Sequence, residues 1–354
     1  MIYDDNGYLN YDYIISRGAT YNFIVGGRGT GKTFGALKWV IDSGNKFIFM
    51  RRTQTQVDMI KNEDLNPFNA LETVLGPRYS FQVKNINKSV SGIYPLEYNA
   101  EKQLKEPQSE PIGYIMALST ISNLRGFDVS TEKGLTIIYD EFIPEKHEKA
   151  MRSEGTAFLN AIETIARNRE LIGLPPVKVL ALANSNDLVN PIFIELKIVN
   201  IVERMIKTAS DQLGVYRVLP ERDLAIFLLN KSPISEAKAK TSLYRLAGKS
   251  EFTDMAINND FSNEHRAFIR SCNIKEYKPV VTVGELTVYV HKSQNNYYIT
   301  SYRTGSPPVY DAGPMDLKRF TRDYYFLWLA YMNKFILFES YLNQVLFERY
   351  FKLI

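Results

Sequence analysis

The sequence predicts an α/β fold in which a mostly parallel sheet flanked by helices is followed by a linker and a smaller α+β domain. Three observations carry this reading. Short β-rich runs alternate with helical patterns over the first two hundred residues. Most of these runs are continuously apolar, as strands buried on both faces are. The glycine-rich stretch "IVGGRGTGKT", residues 24 to 33, joins the first run to a helical pattern.

The candidate strands are "YNFIV" (21–25), "KFIFMR" (46–51), "IGYIMAL" (112–118), "LTIIY" (135–139) and "VKVLALA" (177–183). Between them, "KTFGALKWVIDS" and "EGTAFLNAIETIARNRE" read as helices, and 85–111 reads as an inserted hairpin or loop region. The pattern changes near residue 200, which divides the chain into a domain over 1–207, a linker subdomain over 208–245 and a C-terminal domain over 246–354. In the last part, "VVTVGELTVYVHKSQNNYYITSYR" is a hairpin candidate with Asn295 and Asn296 near its turn. Two Tyr/Phe-rich helical patterns follow, and the aromatic spacing of "FLWLAYMNKFILFESYLNQVLF" marks core packing rather than base stacking.

Composition narrows the function classes. The chain has 354 residues, 45% hydrophobic and 23% charged, which is the balance of a soluble globular protein. Its single cysteine, Cys272, excludes an intrachain disulfide framework, and three scattered histidines offer no zinc-site spacing. A reducing compartment and no structural metal are expected. Met1 to Asn10 is too polar for a signal peptide, and "YYFLWLAYMNKFILF" is interrupted by Asn333 and Lys334, so no membrane association is expected. The net charge of +4 is uneven: residues 226–354 carry 17 Lys and Arg against 12 Asp and Glu. That bias suits a partner bearing phosphates and equally suits a solvated surface.

The chemistry begins in "GGRGTGKT", where Gly26, four intervening residues and Gly31-Lys32-Thr33 match G-x-x-x-x-G-K-[ST] between a strand and a helix. In this loop Gly26, Gly27, Arg28, Gly29, Thr30 and Gly31 wrap backbone N–H groups around phosphate oxygens. Lys32 reaches the β and γ phosphates, and Thr33 ligates Mg²⁺. "LTIIYDE" supplies the acidic half of an ATP site: Asp140 to hold Mg²⁺ and Glu141 to polarise the attacking water. Asn184, just past the 177–183 run, is placed either to sense the γ-phosphate or merely to start a turn. Counting 100° per residue, Phe158, Ala161, Ile162, Ile165 and Ala166 form an apolar stripe, with Asn160, Glu163, Thr164 and Arg167 opposite. Arg167 then points outward, as a finger completing a neighbour's site does and as a solvated arginine also does. Arg169 falls near the stripe and is expected to be structural.

In order, "GGRGTGKT", "FIFMRR", "IIYDEFIPEK", "ARNRE" and "LANSNDLVNPIF" resemble the DNA-packaging ATPases of phi-29-like tailed bacteriophages. These are relatives of large-terminase motors within the additional-strand, catalytic-glutamate class of P-loop ATPases, and the likeness spans mainly residues 20–200. The resemblance implies that Lys32 and Thr33 bind phosphate and Mg²⁺, Asp140 is the Mg²⁺ acid and Glu141 the catalytic glutamate. It also implies that Arg28 is the loop arginine of packaging motors and Arg167 a finger acting in trans. Its further implications are a homomeric ring, pentameric in the best-known members, at the portal vertex of a procapsid, and double-stranded DNA as the substrate moved. Packaging RNA is a partner in some relatives. Such proteins work in the host cytoplasm, transiently on the procapsid, and are absent from the mature virion. The C-terminal domain would be a degenerate RNase H-like nuclease, since 280–302 offers only Glu285 and the remaining acids are dispersed. A DNA helicase or replication-initiation ATPase, and a non-catalytic nucleotide-dependent assembly factor, are the competing functions.

Overall fold

The computed structural model describes residues 1–352 apart from 62–65, 100–103, 125–126, 145–147, 149–150, 152, 185–188, 209–213, 230–238, 249, 251–252 and 254–267. It divides into two compact units, Met1–Ser262 and Asn263–Ile354.

The first unit is built on a ten-stranded sheet among the described residues. All five predicted strands are present: β1 (Tyr21–Gly26), β2 (Lys46–Arg51), β6 (Gly113–Ala117), β7 (Leu135–Asp140) and β8 (Lys178–Ala183). The insertion anticipated at 85–111 is an antiparallel extension of the same sheet, formed by β3 (Phe81–Asn85), β4 (Val90–Asn99) and β5 (Leu104–Pro107). Two further strands, β9 (Val215–Leu219) and β10 (Leu224–Leu229), close the other side. The order is β3-β4-β6-β2-β7-β8-β1-β10-β9, and β6, β2, β7, β8, β1 and β10 run parallel. Their C-terminal ends therefore share one edge, where parallel α/β sheets place ligands.

Helices cover the faces: α1 (Tyr11–Ile15), α2 (Lys32–Asp42), α3 (Gln54–Ile60), α4 (Pro67–Leu75), α5 (Glu154–Ala166), α6 (Pro191–Glu195) and α7 (Val199–Thr208), while a short α8 (Ser242–Ala247) follows β10 in the chain. Leu37 and Val40 of α2 and Phe68 and Leu71 of α4 are fully buried with Ile24 and Phe49 on one side of the sheet. On the other, Phe23 meets Phe142, Phe158 and Phe193 edge-on at 5.5 to 6.1 Å.

The expected linker over 208–245 requires correction. Leu224–Leu229 pair with Tyr21–Gly26 in parallel register, and every residue of β10 is buried. The run "LAIFLL" sits directly behind the charged "PERD" and reads with it as part of one charge-rich connecting segment, although it is as long as β2.

The second unit carries a five-stranded sheet ordered β14-β11-β12-β13-β15. Its meander of β11 (Tyr277–Val283), β12 (Leu286–His291) and β13 (Tyr297–Thr300) contains the anticipated hairpin. The tight turn lies at Gly284 (φ +52°), and Asn295 and Asn296 lie in the next connection. β14 (Val309–Tyr310) and β15 (Ile336–Phe338) add in parallel at the two edges, and α9 (Pro314–Asp323), α10 (Tyr325–Met332) and α11 (Tyr341–Lys352) complete an α+β unit. The second aromatic pattern, read as helical throughout, breaks at Lys334 (φ +64°), and Ile336–Phe338 pair with Tyr297–Ile299 instead. The aromatics do build a core, with Phe320, Phe338 and Phe347 fully buried around Trp328 and Phe351. Tyr325 and Leu329 of α10 remain about half exposed. Among the described residues no helix is long and apolar enough to cross a membrane.

Candidate nucleotide site

β1 delivers the chain into the phosphate loop and α2 carries it away. Two glycines make the turn, Gly29 at φ +75° and Gly31 at φ +80°, a region costly for residues with a Cβ. A side chain at Gly26 is excluded for another reason: its Cβ would lie 2.5 Å from that of Leu229 in β10. Gly31 caps α2 without a side-chain acceptor, so the helix's first N–H groups face the loop.

Lys32 is folded into this loop. Its Nζ donates to Gly26 O at 2.9 Å, Gly27 O at 2.6 Å and Asn184 Oδ1 at 3.2 Å, and the residue is buried. Thr30 Oγ1 donates to Gly27 O at 3.2 Å, stiffening the turn, while Arg28 is exposed at the cavity rim. The cavity measures about 380 Å³ and brings Arg28, Lys32, Thr33, Asp140, Glu141 and Asn184 together.

The acidic pair stands at the end of β7. Asp140 is buried, and Thr33 Oγ1 donates to its Oδ1 at 2.9 Å. Arg51 Nη2 stands 2.9 Å from Asp140 Oδ2, but the approach lacks hydrogen-bond geometry, so that buried oxygen has no hydrogen-bond partner among the described residues. Hard oxygens from a hydroxyl and a carboxylate, one with unused acceptor capacity, form a donor set that fits Mg²⁺. Glu141 adopts φ +57°, rare for a residue other than glycine, and its carboxylate pairs with Arg51 Nη1.

Arg51 was not singled out from the sequence as a site residue, although "FIFMRR" contains it. The β2–β7 register, whose last pair is Met50 with Tyr139, brings it level with Asp140. Its neighbour Arg52 turns to the other side. Buried to 1% exposure, Arg52 pairs with the fully buried Glu154 through Nε to Oε1 at 2.6 Å and Nη2 to Oε2 at 3.0 Å. Its Nη1 meets Glu148 at 2.9 Å. Burial works against the guanidinium charge, but the bonds to Glu154 outweigh it and hold the pKa above arginine's ordinary value. This pair ties β2 to the first turn of α5.

Arg167 lies one residue beyond α5, at φ +48°, and does not line the cavity. The helix ends before it, so helical counting did not determine its direction, although the side chain is exposed as expected. Arg167 Nη1 meets Asp128 Oδ2 at 2.8 Å and Nη2 donates to Phe127 O at 3.1 Å. Bonds from the Ser130 hydroxyl and N–H hold the Asp128 carboxyl below the usual range. Arg169 is structural, buried and donating from Nε to Pro175 O at 2.6 Å and from Nη2 to Glu132 O at 2.8 Å.

The sequence profile of the podovirus DNA encapsidation protein (Gp16) family matches residues 3–316. The DNA packaging protein of Bacillus phage phi29 is 26% identical over 364 residues, covering 98% of this chain and 95% of the relative. That of Bacillus phage B103 is 24% identical, covering 97% and 98%. The fold is also that of the bacteriophage Phi-29 viral genome packaging motor assembly, with a TM-score of 0.64 at 20% identity over 98% of each chain. The Phi-28 gp11 DNA packaging motor gives 0.63 at 18% identity over 99% of each chain. A profile that spans most of the chain, relatives aligned nearly end to end and a shared fold lead to one conclusion: the chain belongs to the podovirus DNA encapsidation protein (Gp16) family.

Proposed function

We propose that this protein is the ATP-hydrolysing subunit of a homomeric, pentameric ring that moves double-stranded phage DNA through the portal vertex into a procapsid. The observation that carries this reading is the cavity in which the phosphate loop meets the Asp140–Glu141 pair. The relatives' naming as DNA packaging proteins supports the substrate.

Lys32 exchanges its carbonyl partners for the β and γ phosphate oxygens, which are charged and stronger acceptors. Thr33 and Asp140 would hold Mg²⁺, which when bound neutralises phosphate charge. Glu141 accepts a hydrogen bond from the attacking water and takes up its proton on a carboxylate oxygen as the water oxygen bonds to the γ-phosphorus, and Asn184, beside Lys32, reports whether the γ-phosphate is present. Arg28 stands at the rim. Arg167 leaves Asp128 to stabilise charge in the site of the adjacent subunit. The basic excess of residues 226–354 and the lone acid of 280–302, Glu285, support DNA, portal or packaging-RNA contact rather than cutting as the work of the second unit. The protein would act in the host cytoplasm, bound transiently to the procapsid.

The test is ATP turnover with procapsid and duplex DNA, comparing the wild type with Glu141→Gln. The variant should bind ATP and lose turnover by about 10²-fold or more, and duplex should stimulate the wild type more than single strands do. Unchanged turnover in Glu141→Gln would remove the catalytic assignment, and preference for single strands would favour a helicase.

A further inference from the structure

Residues 3 to 9 form a closed turn whose construction the phosphate-loop chemistry does not explain. Tyr3 and Leu9 bridge antiparallel, and Asp4 Oδ1 accepts from the N–H groups of Asn6 at 3.0 Å and Tyr8 at 2.9 Å. The turn is then fixed to the phosphate loop, as Leu9 N–H donates to Thr30 O at 3.2 Å. Downstream, buried Tyr11 donates from its hydroxyl to Lys32 O at 2.5 Å and lays its ring where a side chain at Gly35 would be.

Tyr11 is explained by packing, but Tyr8 is not. Its ring covers the α-carbon of Gly31, with Cδ1 3.0 Å from the site a Cβ would take, yet 49% of the residue is exposed. Gly31 itself lines the phosphate cavity. A half-exposed aromatic side chain is thus held by a side-chain-capped turn against Gly31, a residue of the cavity wall. Half-buried Phe34 lines the same cavity from the first turn of α2.

We infer that Tyr8 is the stacking platform for the purine base of the bound nucleotide. A nucleoside triphosphate with its phosphates in the loop must project its base out of the cavity, and a ring fixed at the rim can cover one face of it. Stacking on an aromatic ring tolerates any base, because every base has a π-face. Tyr8 therefore contributes affinity to ATP and GTP alike. The inference rests on the nucleotide reading of the loop, and binding of a base-free phosphate chain separates the two.

The experiment is calorimetric titration of the full chain, in Mg²⁺, with ATP, GTP and inorganic tripolyphosphate. Tyr8→Leu keeps apolar bulk against Gly31 and removes the ring. It should weaken ATP and GTP by about tenfold, leave tripolyphosphate unchanged and melt as the wild type does. Tyr8→Phe should bind all three as the wild type does. Equal weakening of ATP and tripolyphosphate in Tyr8→Leu would make Tyr8 a brace for the loop, and unchanged ATP affinity would remove it from the site; either overturns the inference. A wild type that binds none of the three would overturn the nucleotide reading itself.

Discussion

Arg51 Nη2 stands 2.9 Å from Asp140 Oδ2 while Nη1 pairs with Glu141, so one guanidinium spans the carboxylate proposed for Mg²⁺ and the one proposed for water. The side chain is 16% exposed and rests against the Phe49 ring at 5.6 Å. A cation already neutralises the pair that must accept another.

Two opposed effects are expected of Arg51→Ala. Removing the competing cation should lower the Mg²⁺ concentration needed for half-maximal ATP binding. Glu141, no longer oriented, should lose at least about tenfold in kcat, part of the roughly 10²–10⁴ that a positioned base supplies. A Mg²⁺ titration together with kcat separates them. An unchanged Mg²⁺ requirement would mean that Arg51 has left Asp140 before the cation arrives.

The Arg52–Glu154 pair is buried on both sides. Truncating one partner strands the other charge, and Arg52→Ala should cost about 3–5 kcal/mol in denaturant unfolding. Replacing both together, as in Arg52→Met with Glu154→Leu, should recover most of that loss. Equal loss in the single and double variants would argue that packing rather than stranded charge sets the cost.

Arg167 and Asp128 form an exposed pair, with side chains 41% and 44% accessible. Arg167→Ala should change stability by no more than about 1 kcal/mol, yet lower DNA-stimulated turnover of the assembled ring by about 10³-fold or more. Mixing it with Glu141→Gln subunits should restore part of the turnover, because some interfaces then combine an intact Glu141 with an intact Arg167. An assembled mixed ring with no recovery would place the finger elsewhere.

In the second unit, Glu348 titrates below its ordinary value: burial opposes its charge, but bonds from Tyr331, Lys352 and Gln344 prevail. The same environment pushes Tyr331 up to about 12. As pH falls below about 4.3, the unfolded chain takes up the proton first. This increment of stability is complete above that pH and is lost as pH falls towards the folded-state value. Glu348→Gln should flatten the acid limb of stability against pH between 3 and 5 while leaving its slope near neutrality unchanged. An acid limb identical to the wild type would assign the loss to other carboxylates.

A fragment ending at residue 207 should not fold. It lacks β10, so β1 would expose an unpaired edge along Tyr21–Gly26, whereas a fragment reaching 248 retains that strand. Circular dichroism and sedimentation of the two would decide; a soluble, cooperatively melting 1–207 would contradict the sheet order.

The phosphate loop and Asp140–Glu141 were legible because their chemistry is contiguous in sequence. Asn184 was legible as a strand end, and its place on Lys32 confirms only that it lines the cavity. Arg51 was not legible as a partner of Asp140, since that depends on β2 lying beside β7, an adjacency no local pattern encodes. Arg167 is exposed as the helical count expected, but for another reason: α5 ends before it, and a positive φ there rather than helical period sets its direction. β15 was missed because three residues are too few to display a period, and β10, as long as β2, because it reads together with the charged segment around it as one linker.

The placement of β10 also has a consequence for biosynthesis. The strand leading into the phosphate loop lies between β8 and β10, and Gly26 at its end packs on Leu229, the last residue of β10. Chains emerge from the ribosome N-terminus first, so the loop encoded near the beginning remains without one flank until residue 229 has left the exit tunnel. A nascent chain arrested after residue 184 but before residue 229 has emerged holds every residue of its own proposed to contact phosphate and lacks the wall against which they are set. Nucleotide binding should therefore appear late in synthesis and as a single step.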